Sequence, residues 1–316
     1  MAGKKRDVKM LSIAVLCGGP SSEREVSLES GRAVHAALAS LGMKTRLVDI
    51  RGQDLSELKG LVFDILFNAL HGAFGEDGKL QRLLNEAGLA YTGSNPSACE
   101  RAFDKLRAKA LFAVRGIPTP AWTALGDRES PRYALERENL SLPVVVKPVR
   151  GGSSQGVTLV HEEKDLARGM AAAAAFDRAI LIESLIRGRE LTVGILDGHP
   201  LPAIELRTPR EFYDYAAKYS DDRTQYLCPA DLEPELRRRT EEASIAAWNA
   251  VGAEHFARID LILSPDGTPY ILEVNTIPGF TSHSLLPKAA AAAGMDFPRL
   301  CLKIVELGWE RHLRLH

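Results

Sequence analysis

The sequence predicts an α/β protein that passes into an α+β arrangement in its later part. Three observations lead there. Apolar strand runs alternate with helical patterns through the first hundred residues, as a parallel sheet covered on both faces requires. The 316 residues are 45% hydrophobic, enough for a large core divided over roughly two or three domains of about 100–150 residues. Near the end, "RIDLILSPDGTPYILEVN" (258–275) reads as an antiparallel hairpin with four polar residues along one side.

The elements follow in order. "LSIAVLC" (11–17) is a continuous apolar strand behind a loose basic tail, and "SLESGRAVHAALASLG" (27–42) is a helix stopped at Gly42. "KTRLVDI" (44–50) and "FDILFNAL" (63–70) are further strands, and "GKLQRLLNEAG" (78–88) is a helix. "DKLRAKALFAVRG" (104–116) is a helix, "LPVVVKPV" (142–149) a strand, and "EKDLARGMAAAAAF" (163–176) a helix with alanine filler. "AILIESLI" (179–186) is a strand. A tyrosine-rich polar loop spans 210–226, and "PELRRRTEEASIAAWNAVG" (234–252) is a helix. The hairpin and a C-terminal helix close the chain. No internal repeat is visible.

Composition excludes several functions. There are 40 basic and 41 acidic residues, for a net charge of -1, so the basic footprint of a nucleic-acid binder is missing. No run approaches the ~18 apolar residues of a membrane span. The start "MAGKKRDVKM" is basic, but the apolar run after it is short and ends in glycines, unlike a signal peptide. Cys17, Cys99, Cys228 and Cys301 are scattered without metal spacing, which points to a reduced, cytoplasmic protein.

Strand side chains alternate faces. Arg258, Asp260, Glu273 and Asn275 therefore share one side of the hairpin, and Ile259, Leu261, Leu263, Tyr270, Leu272 and Val274 the other. A two-residue turn at Asp266-Gly267 would set Asp260 opposite Glu273 and Arg258 opposite Asn275; a four-residue loop keeps the same facing, and a three-residue bulged loop would spoil the register. Opposed carboxylates repel unless a cation lies between them. Two carboxylates and an amide oxygen are hard ligands of the kind magnesium takes beside phosphates. The competing reading is a solvated face with a salt bridge to Arg258.

"LPVVVKPVRGGSSQGV" (142–157) supplies a second polar centre. Lys147 leaves a buried strand and projects into a cleft. Gly151, Gly152 and Gly156 let backbone N–H groups approach an anion, and Ser153 and Ser154 add hydroxyls. Neither the P-loop nor the dinucleotide fingerprint is present. A strand lysine, a glycine loop and an acidic hairpin together would clamp a nucleotide between two sheets.

With these stand "GGPSSEREVSLESG" (18–31), "HGAFGEDGKLQ" (71–81), "YTGSNPSACERAFDK" (91–105), "YDYAAKYSDDRTQYLCPA" (213–230), "ARIDLIL" (257–263) and "EVNTIPGFTSHSLLP" (273–287). In these motifs the chain resembles the D-alanine–D-alanine ligases, of the ATP-grasp fold, from about residue 11 to 308. The resemblance implies three domains: an N-terminal α/β domain (1–103), a central lid domain (104–195) and a catalytic domain (196–316), with ATP between two sheets. It implies ATP-dependent joining of two D-alanines through an acyl phosphate, for bacterial peptidoglycan. The alternatives are a D-alanine–D-lactate ligase or another carboxylate–amine ligase of this fold, and a catalytically silent nucleotide-binding regulator.

Residue roles implied by the resemblance are as follows. Glu23 receives the ammonium of the first D-alanine, and His71 touches the same substrate. Lys105 and Lys147 balance the nucleotide phosphates, under the loop carrying Gly152, Ser153 and Ser154. Glu183 and Glu190 hold the adenosine, and the backbone of Ser184, Leu185 and Ile186 forms the adenine edge. Many relatives carry lysine where this chain has Ser184, which implies slightly weaker ATP binding. Glu23, Ser153 and Tyr219 form a hydrogen-bonded trio that excludes water, and Lys218 reaches the γ-phosphate. Tyr219 within "AAKYSDD" marks the dipeptide-forming type. Arg258, helped by the Gly279 N–H, stabilises the tetrahedral oxyanion. Asp260, Glu273 and Asn275 take two magnesium ions, for which manganese can substitute, with Glu273 as the bridge. Ser284 and Leu285 cradle the second D-alanine, with Ser282 and His283 beside them. A homodimer is implied.

Overall fold

The computed structural model describes residues 8–125, 129–208, 223–281 and 283–315. Three sheets carry the chain. Strand β1 (Ser12–Gly18) leads into α1 (Arg24–Ser40), then β2 (Lys44–Ile50), β3 (Ile65–Asn68) and α2 (Lys79–Glu86). These strands form a parallel sheet in the order β2-β1-β3. The expected alternation is therefore real. Strands β1 and β3 are apolar and buried almost throughout because both faces of the sheet are covered.

Helices α3 (Pro96–Phe103) and α4 (Lys105–Val114) follow. Each begins on a side-chain cap, from Asn95 to Ala98 N and from Asp104 to Arg107 N, which satisfies first-turn N–H groups. Next come β4 (Trp122–Ala124), α5 (Pro131–Arg137), β5 (Val144–Pro148), β6 (Thr158–Val160), α6 (Leu166–Ala174) and β7 (Ile180–Ser184). Their four strands form a second, antiparallel sheet in the order β4-β7-β5-β6.

The third sheet is antiparallel, in the order β11-β10-β8-β12-β13 with β9 beside β8. Its strands are β8 (Arg189–Leu196), β9 (His199–Pro200), β10 (Ile204–Arg207), β11 (Gln225–Leu227), β12 (Phe256–Leu263) and β13 (Pro269–Asn275). Strand β8 thus lies in this sheet, although its residues fall before the expected division at 196. Helix α7 (Pro234–Val251) packs on β12 and β13, while α8 (Leu285–Ala292) packs on β8. Helix α9 (Phe297–Leu315) returns to α1 and β3. One core joins the first and third sheets, with Phe280 edge-on to both Phe67 and Phe256.

The hairpin keeps the expected pairing at its polar end: Arg258 is opposite Asn275 and Asp260 opposite Glu273. The turn differs. Leu263 pairs with Pro269, and the register shifts by one between Asp260 and Leu261. The Gly267 N–H bonds Ser264 O, and Gly267 has φ 77°. The loop is longer than two residues, and Leu272 is the extra residue of a β-bulge that restores the register. Consequently Pro269, Ile271 and Val274 are buried, whereas Tyr270 and Leu272 leave the core face predicted for them.

Candidate active site

Two cavities meet between the sheets. The first, about 560 Å³, is lined by Glu23, His71, Ser153, Arg258, Asn275, Gly279, Ser284 and Leu285 among others. The second, about 500 Å³, lies between the second and third sheets and is lined by Lys147, Ser154, Glu183, Ser184, Leu185, Ile186, Glu190 and Asp260 among others. Lys105, Gly151, Gly152 and Glu273 line both. Every sequence-predicted site residue within the described residues falls in one cavity or the other except Gly156, which lines neither and packs against Phe176 and α6. Lys218, Tyr219 and Ser282 lie outside the described residues.

Glu23 occupies the N-cap position of α1 but makes no capping bond. Its carboxylate instead accepts a hydrogen bond from the Ser153 hydroxyl. A Cβ on Gly72 or on Gly152 would stand 2.8 Å from Glu23 Oε2, so both glycines are needed for the carboxylate to sit there. Ser153 and Ser154 have φ 52° and 56°, a left-handed pair that non-glycine residues adopt at a cost of about 1–2 kcal/mol each. The loop's turn is thus made by serines rather than by its glycines alone.

His71 is engaged at both nitrogens. Nδ1 is 3.1 Å from Ile277 O, and Nε2 is 2.9 Å from Ser30 Oγ. The Ile277 carbonyl can only accept, so Nδ1 donates to it; in the neutral ring Nε2 then accepts from the Ser30 hydroxyl, whose oxygen also accepts from Phe280 N. Glu76, missed in the sequence reading although it lies in "HGAFGEDG", is buried against His71 and accepts from Gly72 N at 2.9 Å. Burial, reinforced by the nearby Glu23 charge, raises its pKa.

The Asp260 carboxylate accepts two bonds from Arg258, at 2.8 and 2.7 Å, and one from Thr192 Oγ1 at 2.7 Å. Lys105 Nζ is 3.4 Å from Glu273 Oε2 and donates to Gly151 O at 2.8 Å. The salt bridge of the competing reading therefore exists, but it lines the cleft instead of an open face. In the second cavity, Glu183 lies between two lysines, with Lys147 Nζ at 2.5 Å and Lys109 Nζ at 3.4 Å. Burial opposes its ionisation, but the Lys109 and Lys147 charges outweigh this and hold its pKa below the usual carboxylate range. The bulge turns Leu272 toward the same cavity, where it joins Ile262 as apolar lining beside Glu273. The N–H groups of Ser184 and Leu185 are committed to Ala121 O and Pro143 O.

Two family models match the chain. The one described as D-ala D-ala ligase C-terminus matches residues 111–306, and the one described as D-ala D-ala ligase N-terminus matches residues 52–94. The chain belongs to the D-alanine–D-alanine ligase family. It is 43% identical over 303 residues to the D-alanine–D-alanine ligase of Methylacidiphilum infernorum, covering 95% of this chain and 97% of that one. It is 44% identical over 304 residues to that of Bordetella petrii, covering 95% and 93%. Among solved structures, a D-alanine–D-alanine ligase from Bacillus anthracis complexed with ATP superposes with a TM-score of 0.85 at 35% identity, covering 97% of this chain and 99% of that one. The VanG D-Ala:D-Ser ligase from Enterococcus faecalis superposes with a TM-score of 0.80 at 30% identity, covering 95% and 99%.

The fold is accordingly the ATP-grasp fold of this ligase family. Among the described residues no group of three His, Cys, Asp or Glu forms a metal cluster. The predicted set is two carboxylates directly paired across β12 and β13, with the Asn275 amide two residues beyond Glu273 and opposite Arg258. Its chemistry fits a hard divalent cation that takes its remaining ligands from phosphate and water. In this ligase Lys105 and Arg258 neutralise the same carboxylates. No helix of the described residues is long and apolar enough to cross a membrane.

Proposed function

We infer that the chain converts two D-alanines and ATP to D-alanyl-D-alanine, ADP and phosphate. The observation that carries this reading is the wall of Lys105, Gly151, Gly152 and Glu273 common to both cavities. A γ-phosphate held on one side of that wall meets a carboxylate held on the other.

Glu23 binds the ammonium of the first D-alanine, supported by the Ser153 bond and the two glycines that keep the carboxylate in place. Its substrate's carboxylate attacks the γ-phosphorus, the bond to the ADP oxygen breaks, and an acyl phosphate forms. Lys105 and Lys147 balance the phosphate charge, while Glu190 and the segment 184–186, through backbone groups other than the committed Ser184 and Leu185 N–H, hold the adenosine over Ile262 and Leu272. Asp260, Glu273 and Asn275 would hold magnesium, or manganese in its place, which when bound supplies neutralising charge at the β- and γ-phosphates. The second D-alanine, its carboxylate held by Ser284 and Leu285 at the start of α8, attacks the acyl carbon through its amine. Arg258 and the Gly279 N–H stabilise the oxyanion, and phosphate leaves with the original carboxylate oxygen. By the resemblance, Lys218 is assigned to the γ-phosphate and Tyr219 to the trio with Glu23 and Ser153.

The reading extends to a cytoplasmic homodimer serving peptidoglycan synthesis, with an N-terminal domain at 1–103 and a central domain that ends before Arg189, because β8 belongs to the third sheet. The four cysteines, all free thiols, support a reducing compartment. The test is to supply ATP, magnesium and D-alanine to the folded protein. Dipeptide and phosphate should appear in equal amounts; their absence contradicts the reading. D-serine and D-lactate offered as second substrates fix the acceptor.

A further inference from the structure

Lys109 lies one helical turn beyond Lys105 on α4, is fully buried, and lines neither cavity. Its ammonium has two neighbours. It donates to Thr119 Oγ1 at 2.6 Å, and it stands 3.4 Å from Glu183 Oε1, the oxygen that Lys147 approaches at 2.5 Å. Thr119 Oγ1 in turn donates to Ile271 O at 2.8 Å, and Ile271 N donates to Pro118 O at 2.8 Å. Ile271 immediately precedes the bulged Leu272. One buried ammonium therefore links Glu183 on β7 of the second sheet, and through its carboxylate Lys147 on β5, to the bulge that forms part of the cavity lining on the third.

The charges make the arrangement more than a brace. A lone Glu183–Lys147 pair would be neutral and would leave Lys147 little charge to offer an anion. With Lys109 present, two cations share one carboxylate, and the surplus positive charge faces the cavity through Lys147. A buried surplus of this sign is costly unless an anion completes it. We propose that Lys109 is a positioning residue for the nucleotide: it holds Glu183 from behind so that the Lys147 ammonium remains available to phosphate, and it ties that lysine to the Leu272 bulge. This rests on the nucleotide reading of the second cavity.

The charged groups acting on Lys109 are Glu183 on β7, Lys147 on β5 and Lys105 on its own helix; Thr119 and Ile271 offer neutral oxygens. Burial, only partly offset by Glu183, lowers the Lys109 pKa to about 8. An arriving phosphate favours the charged form, so ADP binding at pH 8 takes up protons.

Isothermal titration with ADP tests this. In Lys109→Met, ADP affinity should fall about tenfold or more, with D-alanine affinity unchanged within twofold and the proton uptake at pH 8 lost. In a Glu183→Gln background the same substitution should change ADP affinity less than twofold, because its effect runs through the carboxylate. A folded Lys109→Met protein that binds ADP like the wild type, with only its melting temperature lowered, overturns the proposal. If Lys109→Met does not fold, the wild-type titration decides: absence of proton uptake at pH 8 overturns it equally. Failure of the wild type to bind ADP at all would instead refute the nucleotide reading of the cavity.

Discussion

Glu23 sits where three close approaches converge: the Ser153 hydroxyl, Gly72 and Gly152. Removing its charge alone should separate binding from folding. Glu23→Gln should lower kcat/KM for D-alanine about 10- to 100-fold, the range of a hydrogen bond to a charged group, while the KM for ATP stays within twofold. Gly152→Ala should act similarly by displacing the carboxylate. Steady-state kinetics with each substrate varied in turn checks both. Arg258→Met should reduce kcat about 10²–10³-fold, as loss of an oxyanion donor does, with ADP affinity little changed. These residues were legible because polar groups beside glycine-rich turns have few packing explanations. Glu76 and Lys109 were not. A lysine in "DKLRAKALFAVRG" reads as part of a solvated face, and only the approach of Glu183 from a distant strand makes it an interior charge.

At the scale of the element, the hairpin shows how local rules and tertiary packing combine. Asp-Gly does form part of the turn, but the loop is longer than two residues and would shift every pair beyond it by one. The bulge at Leu272 reverses that shift before the acidic pair is reached. The pairing of Asp260 with Glu273 was thus readable from alternation, while the bulge was not, because bulges answer to what packs on the sheet. The bulge carries a consequence: Leu272 belongs to the cavity, not the core. Leu272→Ala should therefore raise the KM for ATP about 5- to 30-fold, corresponding to about 1–2 kcal/mol of lost apolar contact, and leave thermal stability nearly unchanged. A core leucine would show the opposite pattern.

Over the whole molecule, patterning predicted the parallel sheet and the hairpin, whereas the short strands β4 and β6, strand β8 and the mutual seating of the sheets were not readable. That seating depends on side chains far apart in sequence. Arg311, near the chain's end, donates to Gly93 O at 2.6 Å, Tyr91 O at 2.8 Å and Glu254 Oε2 at 3.0 Å, and its guanidinium stacks over the Tyr91 ring. Arg311→Met leaves those carbonyls buried without a donor and should cost about 2–4 kcal/mol in denaturant unfolding. Beside it, His255 Nδ1 accepts from Gly93 N at 3.0 Å. Burial, with the Arg311 and Arg314 charges, lowers the His255 pKa to about 3 from 6.5. Between those pH values the unfolded chain binds the extra proton. This contribution is complete above pH 6.5 and is lost as pH falls toward 3, at about 1.4 kcal/mol per unit at most. His255→Asn should flatten that part of the stability–pH curve.

On the proposed mechanism, a carboxylate in the first cavity is phosphorylated across the wall shared with the second. Supplying D-alanine labelled with ¹⁸O in both carboxylate oxygens, together with ATP and magnesium, tests this directly by mass spectrometry of the released phosphate. One ¹⁸O per phosphate is predicted, because the oxygen that attacks the γ-phosphorus departs with it. Phosphate released without label, while dipeptide accumulates, would contradict the claim.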